Sequence, residues 1–266
     1  MSNQVITARN NVNVIGTGEK TLLLAHGFGC DQSMWRFVTP ALSQQYRLIL
    51  FDYVGSGKSD LAAFRSEKYS SLEGYAEDIL DICQALELSN VNFVGHSVSG
   101  MIGLIAAINS PQYFDKQVMV CPSPCFLNLP PHYFGGFERE DLEELINLMD
   151  KNYIGWANYL APLVMGTSSA PELVGELSGS FCSTDPIIAR AFAKATFFSD
   201  YRHILSDAVH PALILQSRSD ALASPSVGEF VHDTMPGSTL AVIEAEGHCL
   251  HMTTPDVVAD QIIRYV

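Results

Sequence analysis

Gly95-His96-Ser97-Val98-Ser99 is the segment of this chain best suited to chemistry. An apolar run at 91–94 leads into it and a helical pattern starts at Val98, so Ser97 falls on a tight strand-to-helix turn. Such a turn pushes the hydroxyl outward, near the positive end of the helix. Serine is a weak nucleophile until a base takes its proton, and that base needs an acid to fix its tautomer. Of the eight histidines, His248 is best placed, in Ala245-Glu246-Gly247-His248 between the last strand-like run and the last helix. Asp220 supplies the acid where the apolar run 212–215 opens into a loop, while Glu246 and Asp207 read as solvated acids. The preceding loop, Cys121-Pro122-Ser123-Pro124-Cys125, holds no competing carboxylate. His26-Gly27-Phe28-Gly29 follows another strand-like run, and the Phe28 and Val98 amides are the expected donors to a developing oxyanion. The motif departs from G-x-S-x-G at Ser99, where glycine is expected.

Other constellations carry less. His248-x-x-His251 has metal-pair spacing but no third ligand, and Cys121-x-x-x-Cys125 lacks a second cysteine pair, so no metal is expected. Gly55-Ser56-Gly57-Lys58-Ser59 resembles the end of a phosphate-binding loop, yet Asp52 stands where that pattern needs glycine. It reads as a turn, and no cofactor is expected.

The elements that must hold these residues follow from hydropathy. Apolar runs at 21–25, 47–51, 91–94, 117–120, 212–215 and 239–243 suit parallel strands buried on both faces. Residues 5–15, ending at Gly16-Thr17-Gly18, read as an antiparallel edge strand with a turn. Ser70-Ser71-Leu72-Glu73 fits a capping box ahead of a helical pattern through Leu86, and Thr254-Pro255 opens a last helix. Strand and helix alternation predicts a doubly wound α/β sheet. From 127 to 196 the rhythm breaks: about 70 residues of amphipathic helical pattern without a strand exceed any ordinary connection. Aromatic residues are concentrated there, consistent with a small core of its own and an apolar cap over a ligand pocket.

Composition bounds the partners. At 266 residues with 47% hydrophobic and 17% charged content, the chain can bury a substantial core. A net charge of −14 argues against nucleic acid or an anionic membrane. No apolar run reaches the ~20 residues of a membrane span. No secretory signal is evident, so the six cysteines are expected as free thiols in a cytoplasmic protein.

The assembled residues resemble the α/β-hydrolase superfamily over nearly the whole chain, where the order Ser97, Asp220, His248 recurs. More narrowly they resemble the RsbQ-like stress-signalling hydrolases and the plant strigolactone and karrikin receptors. The carrying segments are His26-Gly27-Phe28-Gly29-Cys30-Asp31-Gln32-Ser33-Met34-Trp35, Phe51-Asp52-Tyr53-Val54-Gly55-Ser56-Gly57, Pro122-Ser123-Pro124-Cys125, Gly135-Gly136-Phe137-Glu138, Asn152-Tyr153-Ile154-Gly155-Trp156 and Phe181-Cys182-Ser183-Thr184-Asp185-Pro186. Gly-His-Ser-Val-Ser leans toward the plant receptors; the insertion and the 51–57 segment lean toward the RsbQ-like proteins.

The resemblance implies an α/β-hydrolase core at 1–126 and 197–266, with a mostly parallel sheet flanked by helices. It implies a four-helix lid at 127–196, inserted after the sixth strand. It implies Ser97, Asp220 and His248 as a triad, Phe28 and Val98 as oxyanion donors, and a hydrophobic pocket involving Phe28, His96, Phe126, Phe137, Trp156, Leu160 and Phe197. The expected activity is hydrolysis of a small, mostly apolar ester or lactone. The rival expectation is a ligand-sensing regulator with slow hydrolysis, acting with a sensor-domain phosphatase or another signalling partner. Its acidic stretch 138–144 reads as a solvated helix start rather than a partner face. Dehalogenase or epoxide-hydrolase chemistry would need aspartate at position 97.

Overall fold

A strand covered on both faces can be apolar throughout, with alternate side chains entering two different cores. The computed structural model, which describes residues 3–266, has this arrangement. Leu22 and Leu24 enter one core, while Leu23 and Ala25 enter the other. The strands are β1 (Asn13–Ile15), β2 (Thr21–Ala25), β3 (Arg47–Leu50), β4 (Val91–His96), β5 (Phe114–Val120), β6 (Asn128–Leu129), β7 (Tyr133–Phe134), β8 (Ala212–Ser219) and β9 (Ser238–Glu246). Seven form the main sheet in the order β1-β3-β2-β4-β5-β8-β9, and β6 pairs only with β7. β1 runs antiparallel to β3, and every other pairing in the main sheet is parallel.

The helices are α1 (Asn3–Arg9), α2 (Thr39–Leu42), α3 (Leu72–Ala85), α4 (Val98–Asn109), α5 (Arg139–Lys151), α6 (Tyr153–Met165), α7 (Pro171–Ser183), α8 (Pro186–Phe197), α9 (Pro225–Thr234), α10 (Leu250–Thr253) and α11 (Pro255–Tyr265). Helices α5 to α8 fill the stretch without main-sheet strands. Glu138 caps α5 in a reciprocal pair with Asp141, which accounts for the acids at that helix start. Among the described residues no helix is long and apolar enough to cross a membrane.

Four expectations need correction. Residues 5–15 do not form one edge strand: α1 occupies the first part, and only Asn13–Ile15 pairs. The β-branched residues there favour a strand, but tertiary anchoring prevails. Ile6 is buried, the Arg9 guanidinium reaches Asp78 at 3.3 Å and Asp81 at 2.9 Å, and Asn10 donates to the Asp52 carbonyl at 3.0 Å. Second, the 127–196 stretch contains the β6–β7 ladder, whose two-residue strands are too short to leave an alternating pattern. Third, the insertion follows the fifth strand of the chain rather than the sixth, and its last helix runs through Phe197. Fourth, Ser71 caps α3 without a side-chain bond, and the Glu73 carboxylate instead accepts from the Tyr201 hydroxyl at 2.8 Å.

Asp52 explains the phosphate-loop lookalike. Its carboxylate accepts from the Lys58 amide at 2.9 Å, the Gln32 amide at 2.9 Å and the Asn11 side chain at 2.7 Å. The Asp52 side chain thus organises the turn at 52–58 as a hydrogen-bond acceptor.

Candidate active site

The end of β4 aims Ser97. Its φ of 55° and ψ of −123° lie where a residue with a Cβ is strained, at a cost of order 1–3 kcal/mol. Neighbouring backbone bonds hold it there: the Ser97 amide donates to the Val120 carbonyl at 2.8 Å, and the Gly100 amide donates to the Ser97 carbonyl at 2.9 Å. The Val98 N–H is the first of α4, so it has no acceptor within the helix.

Three side chains from different strand ends converge here. Ser97 Oγ lies 2.7 Å from His248 Nε2, and His248 Nδ1 lies 2.7 Å from Asp220 Oδ2. Asp220 sits just past β8, and its Oδ1 accepts from the amides of Leu222 at 2.8 Å and Ala223 at 3.0 Å. With a carboxylate at Nδ1, the imidazole carries its proton there and accepts the serine hydroxyl at Nε2. His96 Nε2 donates to the His248 carbonyl at 3.0 Å and so supports the loop from below.

Ser99, the residue that departs from the glycine motif, is fully buried and bonded. Its hydroxyl donates to the His26 carbonyl at 2.5 Å and accepts from Tyr53 at 2.9 Å. His26 in turn accepts from the Tyr53 amide at 3.2 Å. Serine at 99 therefore ties the His26–Gly29 loop to the nucleophile turn, and glycine would leave the buried Tyr53 hydroxyl without this acceptor.

A small, mostly apolar cavity of about 20 Å³ touches Ser97 and His248. Of the expected pocket residues, Phe28, His96, Phe126, Leu160 and Phe197 line it. Phe137 does not: it lines an adjoining cavity of about 560 Å³, walled by residues of α5 and α6. Trp156 lines neither cavity. It is buried one layer back, with ring centroids 5.3 Å from Tyr153, 5.2 Å from Phe181 and 6.0 Å from Phe28. Leu177, Phe181, Cys30 and Cys249 line the small cavity although their spacing gives no such signal. One signal was present for Phe181. Gly29 has φ +70°, and a Cβ there would meet the Phe181 ring at 2.2 Å, so this glycine admits the α7 aromatic.

All six cysteines are free thiols, and only Cys182 is exposed. Cys121 lies beside the acid. Its sulfur, an Asp220 oxygen and a His248 nitrogen are all within 4.8 Å of one another. It adopts φ 49°, and burial next to Asp220 pushes its thiol well above the usual range. Among the described residues His251 belongs to no such cluster. It is buried between Trp35 and His96, with ring centroids 4.5 Å from each, and neither nitrogen has a protein partner.

Burial, followed by the nearby His248, lowers the His251 pKa to about 3. An unfolded chain protonates this ring near 6.5, so between those values the native state binds fewer protons. Stability is full above about 6.5 and falls as the pH drops toward 3. His251→Leu is expected to flatten the fall in thermal midpoint between pH 7 and pH 4, as followed by calorimetry. An unchanged slope would assign the acid sensitivity elsewhere.

A sequence model of the alpha/beta hydrolase fold family matches residues 20–255. Karrikin insensitive 2 receptor CA of Petunia hybrida is 39% identical, covering 98% of this chain and 97% of its own. Strigolactone esterase D14 of Arabidopsis thaliana is 36% identical, covering 99% and 98%. The solved structure of a hydrolase from Oleispira antarctica superposes with a TM-score of 0.98 at 60% identity, covering 100% of this chain and 97% of that one. Fold, turn geometry and these relatives agree: the chain belongs to the α/β-hydrolase fold family.

Proposed function

We propose that this protein is a serine hydrolase of small, apolar esters or lactones. The observation that carries the reading is the unbroken Ser97–His248–Asp220 hydrogen-bond chain beside an apolar cavity. Ser97 Oγ attacks the carbonyl carbon while His248 Nε2 takes its proton. The carbonyl oxygen becomes an oxyanion facing the Phe28 and Val98 N–H groups. The C–O bond then breaks, the leaving oxygen takes the proton from His248, and the acyl group stays on Ser97. Water, deprotonated by His248, releases the acid and restores the serine. Asp220 orients the imidazole and stabilises its charged form. No metal or cofactor enters this scheme.

Helices α5 to α8 act as the lid, and residues outside 127–197 as the core. The lid is fastened to the histidine loop at one place. Glu246 accepts from the Thr167 amide at 2.7 Å, the Thr167 hydroxyl at 2.8 Å and the Ser168 amide at 3.1 Å. The His248 amide donates to the Val164 carbonyl at 2.7 Å. Gly247, at φ +93°, lets the two segments touch, since a Cβ would meet the Met165 carbonyl oxygen at 2.1 Å. Hydrogen bonds from the Ser168 side chain, and then from the Thr167 amide and hydroxyl, lower the Glu246 pKa to about 2. The clasp is therefore complete above the ordinary carboxylate range and is lost only as the pH falls toward 2. Glu246→Ala is expected to cost several-fold in kcat/KM for an aryl ester at pH 7, with Glu246→Gln recovering part. Equal activity in all three proteins would make the clasp irrelevant to turnover.

A fluorophosphonate, which a base-activated serine attacks with loss of fluoride, tests the main reading. The expected result is one label per chain on the Ser97 peptide, with loss of esterase activity. Labelling elsewhere, or activity that survives labelling, would overturn it.

The relatives named as karrikin receptors favour a second reading. In it the same site senses an apolar ligand, hydrolysis is slow, and the lid presents a surface to a signalling partner such as a sensor-domain phosphatase, in the cytoplasm. An acyl adduct that outlives the turnover of ordinary esterases would mark this case.

A further inference from the structure

We propose that the site is divided into a small acyl chamber and a larger outer alcohol cavity, so that the preferred substrate is an ester of a compact, acetyl-sized acyl group with a larger alcohol. This rests on the Ser97 reading above. The chamber beside Ser97 measures about 20 Å³. The outer cavity measures about 560 Å³, within the ~300–1,000 Å³ usual for small-molecule sites. Leu160, Phe197 and Leu222 line both, so these three side chains form the partition. The partition stands next to the chemistry, because the Leu222 amide donates to Asp220 at 2.8 Å.

The order of bond making decides which half of the ester goes where. When the Ser97 Oγ–carbon bond forms and the ester C–O bond breaks, the alcohol departs with a proton from His248, and the acyl group remains attached. The half that stays can be enclosed, whereas the half that leaves needs a path to solvent. A second neighbour of the chamber, about 250 Å³ and sharing Cys30 and Leu177 with it, is less than half the size of the outer cavity. The outer cavity shares three side chains with the chamber and gives an alcohol of several atoms the roomier path to solvent.

The far wall of the chamber is pinned. Leu177 and Phe181 of α7 line it and are 2% exposed. Ser180 donates to the Gly29 carbonyl at 2.8 Å, and Tyr153 donates to the Phe181 carbonyl at 2.7 Å. A longer acyl chain must therefore displace Leu177 or Phe181 before it reaches further space, such as the cavity of about 250 Å³ that Leu177 and Cys30 also line, and overfilling a packed interior is unfavourable.

Steady-state kinetics on the full chain with 4-nitrophenyl acetate, butyrate and hexanoate tests this, since the leaving group is constant. The wild type should lose at least about tenfold in kcat/KM from acetate to hexanoate, the scale of discrimination that a pocket exerts on methylene groups. Leu177→Ala, which enlarges the chamber, should raise the hexanoate-to-acetate ratio by about tenfold. Leu160→Val gives a second, milder enlargement if that variant does not fold, and should move the ratio the same way. At constant acetyl, replacing the phenyl by a 2-naphthyl alcohol should not lower kcat/KM. A flat acyl series, a ratio unmoved by both enlargements, or a marked loss with the larger alcohol would overturn the division of the site. Absence of turnover for every ester, or turnover undiminished in Ser97→Ala, would instead overturn the Ser97 reading on which it rests.

Discussion

Ser97→Ala is expected to lower aryl-ester turnover by on the order of 10⁴-fold or more, because it removes the atom that forms the acyl bond while leaving its helpers in place. Stability should change little. The Ser97 hydroxyl makes a single side-chain bond, to His248, and a typical hydrogen bond contributes about 1 kcal/mol net. A shift of at most a few degrees in thermal midpoint follows for a domain of this size. The variant therefore separates chemistry from folding. Activity within about tenfold of wild type, in a protein that still melts normally, would be incompatible with a serine nucleophile.

Asp220→Asn should cost about 10³- to 10⁴-fold in kcat with KM little changed, since the residue touches His248 and not the substrate. An asparagine oxygen can still accept from the Leu222 and Ala223 amides, so the loop past β8 keeps its shape. What changes is the tautomer. The amide NH₂ donates to Nδ1, the ring proton moves to Nε2, and Nε2 can no longer accept from Ser97. Kinetics and calorimetry on the same sample give both readouts. A loss below about tenfold would mean that the imidazole finds its orientation without this carboxylate.

Much of this architecture was legible because its signals are local. A strand buried on both faces writes a continuous apolar run, and the turns at Ser97 and Thr254-Pro255 write their own residues. The candidate triad was legible for a related reason: each member follows a recognisable strand end, and the parallel strands β4, β8 and β9 end at the same edge of the sheet. Long-range pairings were harder to read. Helix α1 depends on Arg9 meeting Asp78 and Asp81, far along the chain, and nothing near Val5 and Ile6 announces that. Cys121 beside Asp220 and Glu246 beside Thr167 likewise join segments whose approach is set by the fold. Trp156 shows the limit for aromatics in the insertion, since helical spacing says that a ring faces inward but not whether it meets the cavity or the layer behind it. Ser99 teaches the reverse lesson. Its departure from the glycine motif looked like a weakness, and the hydrogen bonds to His26 and Tyr53 give it a part in fixing the turn.

The most direct test of Ser97 as the nucleophile is intact-mass and peptide-mass measurement on protein quenched during turnover of an aryl acetate. The wild type should gain one acetyl group on the peptide carrying Ser97, the gain should decay once the ester is exhausted, and Ser97→Ala should gain none. An acetyl group found on another residue during turnover, or an adduct that persists in Ser97→Ala, would contradict the account.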